Sequence, residues 1–420
     1  MMRVLMILYK DIHYDSRTQR EALALARAGW EVDIACLHTT ALPPPDLHEK
    51  IRLLRFPIHT KQLKRYVERK ADRRVKQGVY RVVRTPFVKL AKDVVAQRQF
   101  ALKVWGLCEG AAYDAVHCHD LSTLSIGVYL KRKKGYALIY DAREIFRERK
   151  GKGRWERMVG NQAESWWIED VDQLITVNSL MEEEYKKRCP DLPTTVVRNI
   201  PEPPAKRPEK KEYFHRLYRL PAGDQVVLYQ GSFFRDRGLE ELISAFAHLS
   251  EDRKLVLLGY GDWKGRLERM VYSKGLEERV FFHPPLLPEE MLEVTAHADL
   301  GTVLYPGESL NSRLYTPSKI FEYIQAGIPV VSGNQPGKAA VVETHQTGKL
   351  VDARDIPEVA RAIDEVLTEP DPYLIGTLKA GKRLTWEQEQ QQLLRLYEQI
   401  EAVGEKTKAY VSIQPHLREL

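Results

Sequence analysis

Residues Met1–Leu37 read MMRVLMILYKDIHYDSRTQREALALARAGWEVDIACL. The apolar run Val4–Leu8 has strand length, and a polar loop follows it. Thr18 and Glu21 then stand at capping-box spacing, where each side chain satisfies an orphan backbone N–H at a helix start. Leu23, Leu25, Ala26 and Ala28 continue the helix, Gly29 ends it, and Val32–Leu37 forms the next strand. Strand, helix, strand is the unit of a parallel sheet, because parallel neighbours need a long crossover. Further strand-like runs lie at Ala115–His119, Ala137–Asp141 and Gln173–Val177, with helical segments between several of them.

Residues 201–211 break this pattern, with Pro201, Pro203, Pro204 and Pro208 among Lys206, Lys210 and Lys211. Such a segment reads as a linker. A second alternating series follows. Its strands are Val226–Tyr229, Lys254–Leu258, Val280–His283, Leu300–Leu304 and Pro329–Ser332. Its helices are Leu239–Leu249, Gly265–Lys274, Glu289–Ala298 and Ser318–Ala326. The expected fold class is α/β, with two Rossmann-like parallel-sheet domains facing each other across a cleft. Their expected bounds are 1–200 and 212–384, with 385–420 as a helix returning to the first domain, plus a tail. Neither half carries GxGxxG after its first strand, which disfavours a simple NAD enzyme.

A length of 420 residues suits two domains, and 43% hydrophobic with 29% charged residues suits packed cores. No run approaches the roughly 20 apolar residues of a membrane span. Met1–Leu8 is interrupted by Arg3 and lacks the h-region and cleavage site of a signal peptide. Cys36, Cys108, Cys118 and Cys189 lie far apart with no CxxC pair, so neither a zinc ribbon nor a disulfide scaffold is expected. These features describe a reduced, cytoplasmic protein.

The net charge of +7 is unevenly spread. Lys61–Lys103 holds fourteen Lys/Arg and three acids, a local +11, which leaves the rest of the chain mildly acidic at −4. Within this insertion, residues 61–104, the residues Val75, Val79, Val82, Val83, Phe87, Leu90 and Val94 recur at helical spacing, with Pro86 as a kink. A basic amphipathic helix of this kind lies on anionic lipid, peripheral on the inner face of a membrane. Lys131–Lys134 and Arg147–Arg157 with Trp155 would extend the patch. The alternative is that the stripe packs on the first domain with its cations solvated. Nucleic acid is not an expected partner, because the stretch has no stacking aromatics and no known module.

Two motifs in the second half carry chemistry. Thr316–Val331 reads TPSKIFEYIQAGIPVV: Thr316 suits an N-cap, Pro317 the first helical position, and Gly327 the end. The N–H groups of Ser318 and Lys319 then mark the positive end of a helix, where phosphate is stabilised, and the Lys319 side chain adds a cation. Glu322 lies one turn deeper on the same face, and a ribose diol is its natural partner. Tyr229–Gly238 reads YQGSFFRDRG, a glycine directly after a strand with Arg235 and Arg237 in the loop. Two guanidiniums there suit a diphosphate. Taken singly, these motifs also fit a solvated amphipathic helix and a surface turn; together they favour a nucleoside diphosphate.

The whole pattern resembles retaining glycosyltransferase family 4, of the GT-B fold. YQGSFFRDRGLEELISAF, VLLGYGD, ADLGTVLYP and PSKIFEYIQAGIPVV match in family order, and DSRTQREALALARAGWEV, DAVHCHD, LIYDAREIF and TVVRNIP match in the first half. The resemblance implies that Arg237 stands where relatives place a phosphate-binding lysine and that Glu322 is the ribose-binding glutamate. It further implies that Gly231, Ser318 and Lys319 line the donor phosphates, that Leu286 lies near the nucleobase, and that His119 sits near the reacting sugar. Arg143 stands where many relatives have histidine. Two departures stand out. The first glutamate of the family's E-x7-E signature is replaced by Leu314, with Asn311 upstream, and Ser232 occupies a position where many members carry arginine.

On the acceptor side, Asp15, Ser16 and Arg17 follow the first strand, His119 and Asp120 end Ala115–Cys118, and Arg143 and Glu144 end Ala137–Asp141. Cys118 alternates with His117 and His119 and so faces the other way, with no fourth metal ligand evident. Asp170-Val171-Asp172 spells the DxD of metal-dependent transferases but falls between a helix and a strand, as a cap or turn. No metal and no cofactor are expected. The substrate would be a UDP- or GDP-sugar, and Arg237, Lys319 and the helix end would stabilise the leaving phosphate. The expected acceptor is a glycan or lipid-linked hydroxyl in cell-surface polysaccharide or glycolipid synthesis. A nucleotide-sugar epimerase or hydrolase and a noncatalytic binding scaffold are the competing readings.

Overall fold

The structure, a computed structural model, describes residues 2–58, 86–145, 154–204, 212–307 and 309–417. It contains two parallel sheets. The first runs β3–β2–β1–β4–β5–β6–β7, formed by β1 (Arg3–Leu8), β2 (Glu31–Leu37), β3 (Ile51–Phe56), β4 (Ala115–His119), β5 (Ala137–Ala142), β6 (Gln173–Thr176) and β7 (Thr194–Val196). The second runs β10–β9–β8–β11–β12–β13, formed by β8 (Gln225–Ser232), β9 (Arg253–Tyr260), β10 (Val280–His283), β11 (Leu300–Val303), β12 (Val330–Gly333) and β13 (Gly348–Val351). Every strand pair is parallel. In each sheet the order reverses beside the first strand, between β1 and β4 and between β8 and β11. That crevice at the carboxyl ends is where open α/β sheets take ligands.

Helices cover both faces, so the central strands are apolar on both sides. Leu5, Ile7, Val116, Leu138 and Leu174 face one layer of the first domain, with Phe100, Val104 and Leu124 from its helices. Val4, Met6, Ile34, Ile139 and Ile175 face the other. Each such side chain stabilises the fold by about 1.5–3 kcal/mol on leaving water. The last helix, Trp386–Leu417, lies on that second layer: Trp386, Leu393, Leu396, Tyr397 and Ile400 pack with Met2, Val4 and Trp30. Arg198 ties it down through Glu389, Nη1 to Oε1 2.9 Å.

Several boundaries differ from the sequence reading. The first helix spans Ser16–Arg27, with Asp15 as its cap, rather than starting at Thr18. The Asp15 carboxylate accepts from both the backbone N–H and the hydroxyl of Thr18, at 3.0 and 2.8 Å, so the capping box is not formed and Glu21 lies inside the helix. β3, β7 and β13 were not anticipated. They are polar or short, and β3 carries Arg52, whose guanidinium forks onto Asp33 of β2. The basic insertion falls largely outside the described residues. What is described there is a helix, Pro86–Gly110, with Pro86 as its first residue. Among the described residues no helix is long and apolar enough to cross a membrane.

Candidate active site

The second domain's site collects at the ends of β8 and β11. The last residue but one of β8 is Gly231, whose φ is +146°; a Cβ there would also crowd the Tyr229 hydroxyl at 3.3 Å. The loop then turns through Asp236, at φ 66°, and Arg237 returns over the Tyr305 ring, 4.5 Å from its centroid. Burial works against the Arg237 charge, but Tyr305, Tyr229 and Tyr315, together with Glu144 of the first domain, raise its pKa above the usual guanidinium value. Among the described residues its nitrogens have no hydrogen-bonded or ion-paired partner. It is a half-desolvated cation ready for an anion.

Beside it the helix Ser318–Ala326 begins at Pro317 with no side-chain cap, leaving its first N–H groups to water or a ligand. Glu322, one turn in, is heavily engaged. Lys319 Nζ reaches its two oxygens at 2.9 and 2.8 Å, Ser318 Oγ donates at 3.1 Å, and Gln230 Nε2 donates at 2.5 Å. Gln230 is itself buried and accepts from the Thr295 hydroxyl at 2.7 Å. Leu286 is half-buried and, like Met291 of the helix that supplies Thr295, packs against the core layer that contains Ile320 and Ile324 of the Glu322 helix.

The first domain contributes a buried ionic network at the ends of β1, β4 and β5. Arg143 donates to Asp15 at 2.6 and 2.9 Å, to Asp141 at 2.9 Å and to Thr18 Oγ1 at 2.9 Å, and lies 2.8 Å from His119 Nδ1. Arg17 forks onto Asp141, 3.0 Å on each arm, and caps the Val197 carbonyl. Burial alone would raise Asp15 and Asp141. The Arg143 charge overrides it at Asp15, and Arg17 with Arg143 at Asp141, so both carboxylates lie well below their ordinary range. Glu21, fully buried and 2.9 Å from Arg17 Nε, is pushed up instead, because burial outweighs Arg17 there. Asp15 and Asp141 thus face the guanidiniums of Arg17 and Arg143 in one buried group. At the rim Asp120 holds φ 67° and ψ 160°, a region that only glycine populates readily, with Lys10 Nζ 3.8 Å from its carboxylate.

Three of the acceptor-side expectations change. Asp15, Arg17 and His119 are expected to face the cleft, yet Asp15 is 5% exposed, Arg17 3% exposed and His119 fully buried. Arg17 is spent on Asp141 and the Val197 carbonyl, Asp15 is held under Arg143, and His119 lies behind Arg143, which with Asp120 forms the rim. Arg235 stays exposed at its loop, apart from Arg237. Thr316 does not cap its helix; its hydroxyl donates to Gly337 O. Asp170 and Asp172 are taken by Arg132 and Lys131, each at 2.6 Å. Contrary to the expectation of no fourth ligand, Glu21 and Asp141 do join His117 and His119, within 4.8 Å of one another. Two guanidiniums already occupy that cluster, Arg17 against Asp141 and Glu21 and Arg143 against Asp141 and His119, and a divalent ion would have to displace them. Sequence reasoning missed Gln230, whose one signal was a polar residue ending an apolar strand, and Tyr305, which had none.

The two domains meet directly. Ile145 N donates to Asn311 Oδ1 at 3.1 Å, and Asn178 Nδ2 donates to Leu314 O at 2.7 Å and to Thr316 Oγ1 at 3.0 Å. Leu310, Leu314 and Tyr315 pack against the first domain's core.

Family profiles match both halves of this cleft. Glycosyl transferases group 1 matches residues 210–392, and the glycosyl transferase 4-like domain matches residues 14–199. The chain belongs to the family 4 type of glycosyltransferases. This glycosyltransferase is 24% identical over 284 residues to an uncharacterized glycosyltransferase, YqgM, of Bacillus subtilis, covering 66% of this chain and 74% of that one. It is 28% identical over 170 residues to the GDP-mannose-dependent alpha-(1-6)-phosphatidylinositol monomannoside mannosyltransferase of Mycolicibacterium smegmatis, covering 39% and 44%. The sucrose-phosphate synthase structure from Thermosynechococcus elongatus superposes with TM-score 0.72 at 21% identity, over 96% of this chain and all of that one. Anabaena HepE, in complex with UDP and glucose, superposes with TM-score 0.70 at 16% identity over 95% and 100%. The glycosyltransferase therefore has the GT-B fold.

Proposed function

We propose that this glycosyltransferase moves a hexosyl-type sugar from a nucleoside-diphosphate sugar to an acceptor hydroxyl, with retention at the anomeric carbon and without a metal ion. The observation that carries the reading is that Tyr315 feels the charges of both Arg237, which has no hydrogen-bonded or ion-paired partner among the described residues, and Glu322, on the uncapped helix that starts with Ser318 and Lys319. As the sugar–phosphate bond breaks, negative charge grows on the leaving diphosphate. Arg237, Lys319 and the helix N–H groups are preorganised donors for it, Gly231 lets the phosphates approach, and Glu322 takes the ribose hydroxyls. The base lies toward Leu286. Arg143 presents the acceptor side, with Asp15, Arg17 and His119 holding it from behind. No cofactor enters this scheme; the cations do the work a divalent ion does elsewhere. UDP and GDP are the favoured donors, because one relative is named for GDP-mannose and one structural neighbour is complexed with UDP.

The acceptor is a membrane-proximal glycan or lipid-linked hydroxyl, in cell-surface polysaccharide or glycolipid synthesis, with the enzyme peripheral on anionic lipid. Support comes from the relative named for a phosphatidylinositol mannoside and from the helix Pro86–Gly110, where Val94 is 55% and Leu102 53% exposed. Val75, Val79, Val82 and Val83 of the apolar stripe, the side chains of Phe87 and Leu90, and those around Trp155 lie outside what the structure describes. Assays with UDP-, GDP- and ADP-sugars, with and without a lipid-linked acceptor, test the reading. Transfer that persists in a chelator supports it. Epimer or free sugar alone would make the protein an epimerase or hydrolase, and nucleotide binding without turnover would make it a scaffold. Liposome co-sedimentation at low and high salt tests the surface; equal recovery on neutral and anionic vesicles would remove it.

A further inference from the structure

We infer that Asn178 is a positioning residue that ties the start of the donor-binding helix to the acceptor-side domain, so that donor affinity depends on a contact made entirely outside the donor site. The inference rests on the proposed donor reading of that helix.

Asn178 is 9% exposed and uses the two ends of its amide for different tasks. Its Oδ1 accepts from Met181 N at 2.8 Å and caps the helix Ser179–Lys186 of the first domain. Its Nδ2 crosses to the second domain, donating to Leu314 O at 2.7 Å and Thr316 Oγ1 at 3.0 Å. Thr316, 4% exposed, passes the constraint on by donating to Gly337 O. Gly337 has no room for a side chain, since a Cβ would sit 2.2 Å from Leu314 O. Two residues after Thr316 the helix Ser318–Ala326 starts. The cross-cleft bonds therefore hold the residues immediately before that helix, in a segment with no slack to absorb a shift.

The same contacts give Leu314 a task. Its carbonyl is the acceptor for Asn178, and its side chain packs on the first domain's core. Nearby, Asn311 Oδ1 accepts from Ile145 N. The helix Leu310–Leu314 serves as a foot planted on the opposite domain.

The two ends of the amide separate by substitution. Asn178→Asp keeps an oxygen for the cap, since Asp caps helices as well as Asn does, but sets a second carboxylate oxygen against Leu314 O in place of a donor. The experiment measures UDP and GDP affinity by calorimetry, thermal unfolding, and the radius of gyration by small-angle scattering, for wild type and Asn178→Asp. The expected result is an unchanged unfolding midpoint, a larger radius of gyration, and affinity weaker on the order of tenfold, the worth of one or two hydrogen bonds. Asn178→Ala, which loses cap and tie together, lowers the midpoint as well. Unchanged scattering and unchanged affinity in Asn178→Asp overturn the inference. A wild type that binds neither nucleotide overturns the donor reading instead, and scattering alone then decides whether Asn178 holds the cleft.

Discussion

Lys319 and Glu322 close on each other: the ammonium lies 2.8 and 2.9 Å from the two carboxylate oxygens, three residues apart on one helix face. The cation assigned to phosphate and the anion assigned to ribose thus neutralise one another. A donor that engages both has to compete with this pair.

Glu322→Gln keeps the shape of the side chain and loses the charge. Nucleoside diphosphate affinity is expected to fall, and a 2′,3′-dideoxy nucleotide should bind wild type more weakly than its parent but the variant nearly as well as its parent. Calorimetry on the four combinations decides it; equal losses in both proteins would detach Glu322 from the ribose.

Arg237→Ala removes a cation that is half-buried over Tyr305. Turnover should drop on the order of 100-fold through lost charge stabilisation in the transition state. Arg237→Lys should recover part of it, because an ammonium still reaches the phosphate although it cannot bond bidentately. Steady-state rates near wild type for Arg237→Ala would end the assignment.

Arg143→Met leaves Asp15 and Asp141 short of a counter-charge in a dry site. A loss of about 3–5 kcal/mol is expected at neutral pH. Both carboxylates have depressed folded-state pKa values, so the stability they contribute is present above about pH 4 and is lost as pH falls through those depressed values. The gap between wild type and variant should therefore narrow in acid. Glu21 has the opposite sign: its raised pKa favours the protonated fold, so its stabilising contribution belongs to low pH and fades as pH rises. Glu21→Gln should flatten that fade. Urea unfolding from about pH 2 to about pH 8, a range that starts roughly two units below an ordinary carboxylate pKa, measures both slopes, and parallel curves would refute the proton assignment.

Asp120→Gly relaxes a backbone that costs an aspartate about 1–3 kcal/mol to hold. The variant should melt higher than wild type while transfer falls, since it also removes the carboxylate that faces Lys10 at the rim. A lower melting point would show that the Asp120 side chain contributes more than its strain costs.

Much of this was legible in the chain. The alternation of apolar runs and capped helices carries the two parallel sheets, and PSKIFEY marks the helix start whose ends at Ser318 and Ala326 match the structure. The edge strands were not legible, because β3 carries Arg52 and Arg55 three residues apart, which breaks a period of two, and β7 has three residues, too few for periodicity to speak. Arg17 and Arg143 look alike as residues after strands. Only the distances show that one is wrapped by Asp141 and the Val197 carbonyl while the other reaches the rim. Asn178 was not singled out in the sequence; its oxygen caps a helix, and nothing local reveals where its side-chain nitrogen goes.

The last helix sets an order on biosynthesis. Trp386, Leu393, Leu396 and Tyr397 fill the layer beside Met2, Val4 and Trp30, and the Tyr397 hydroxyl meets His117 Nδ1 at 2.9 Å, under the ring of His119. The domain made first is therefore finished last. A nascent chain leaving the ribosome carries a first sheet with one side covered only by the helix Ser16–Arg27 until the second domain and the final helix have followed it out. Nonsense or frameshift lesions beyond residue 385 should accordingly be read as defects of the N-terminal half, showing first as protease sensitivity there.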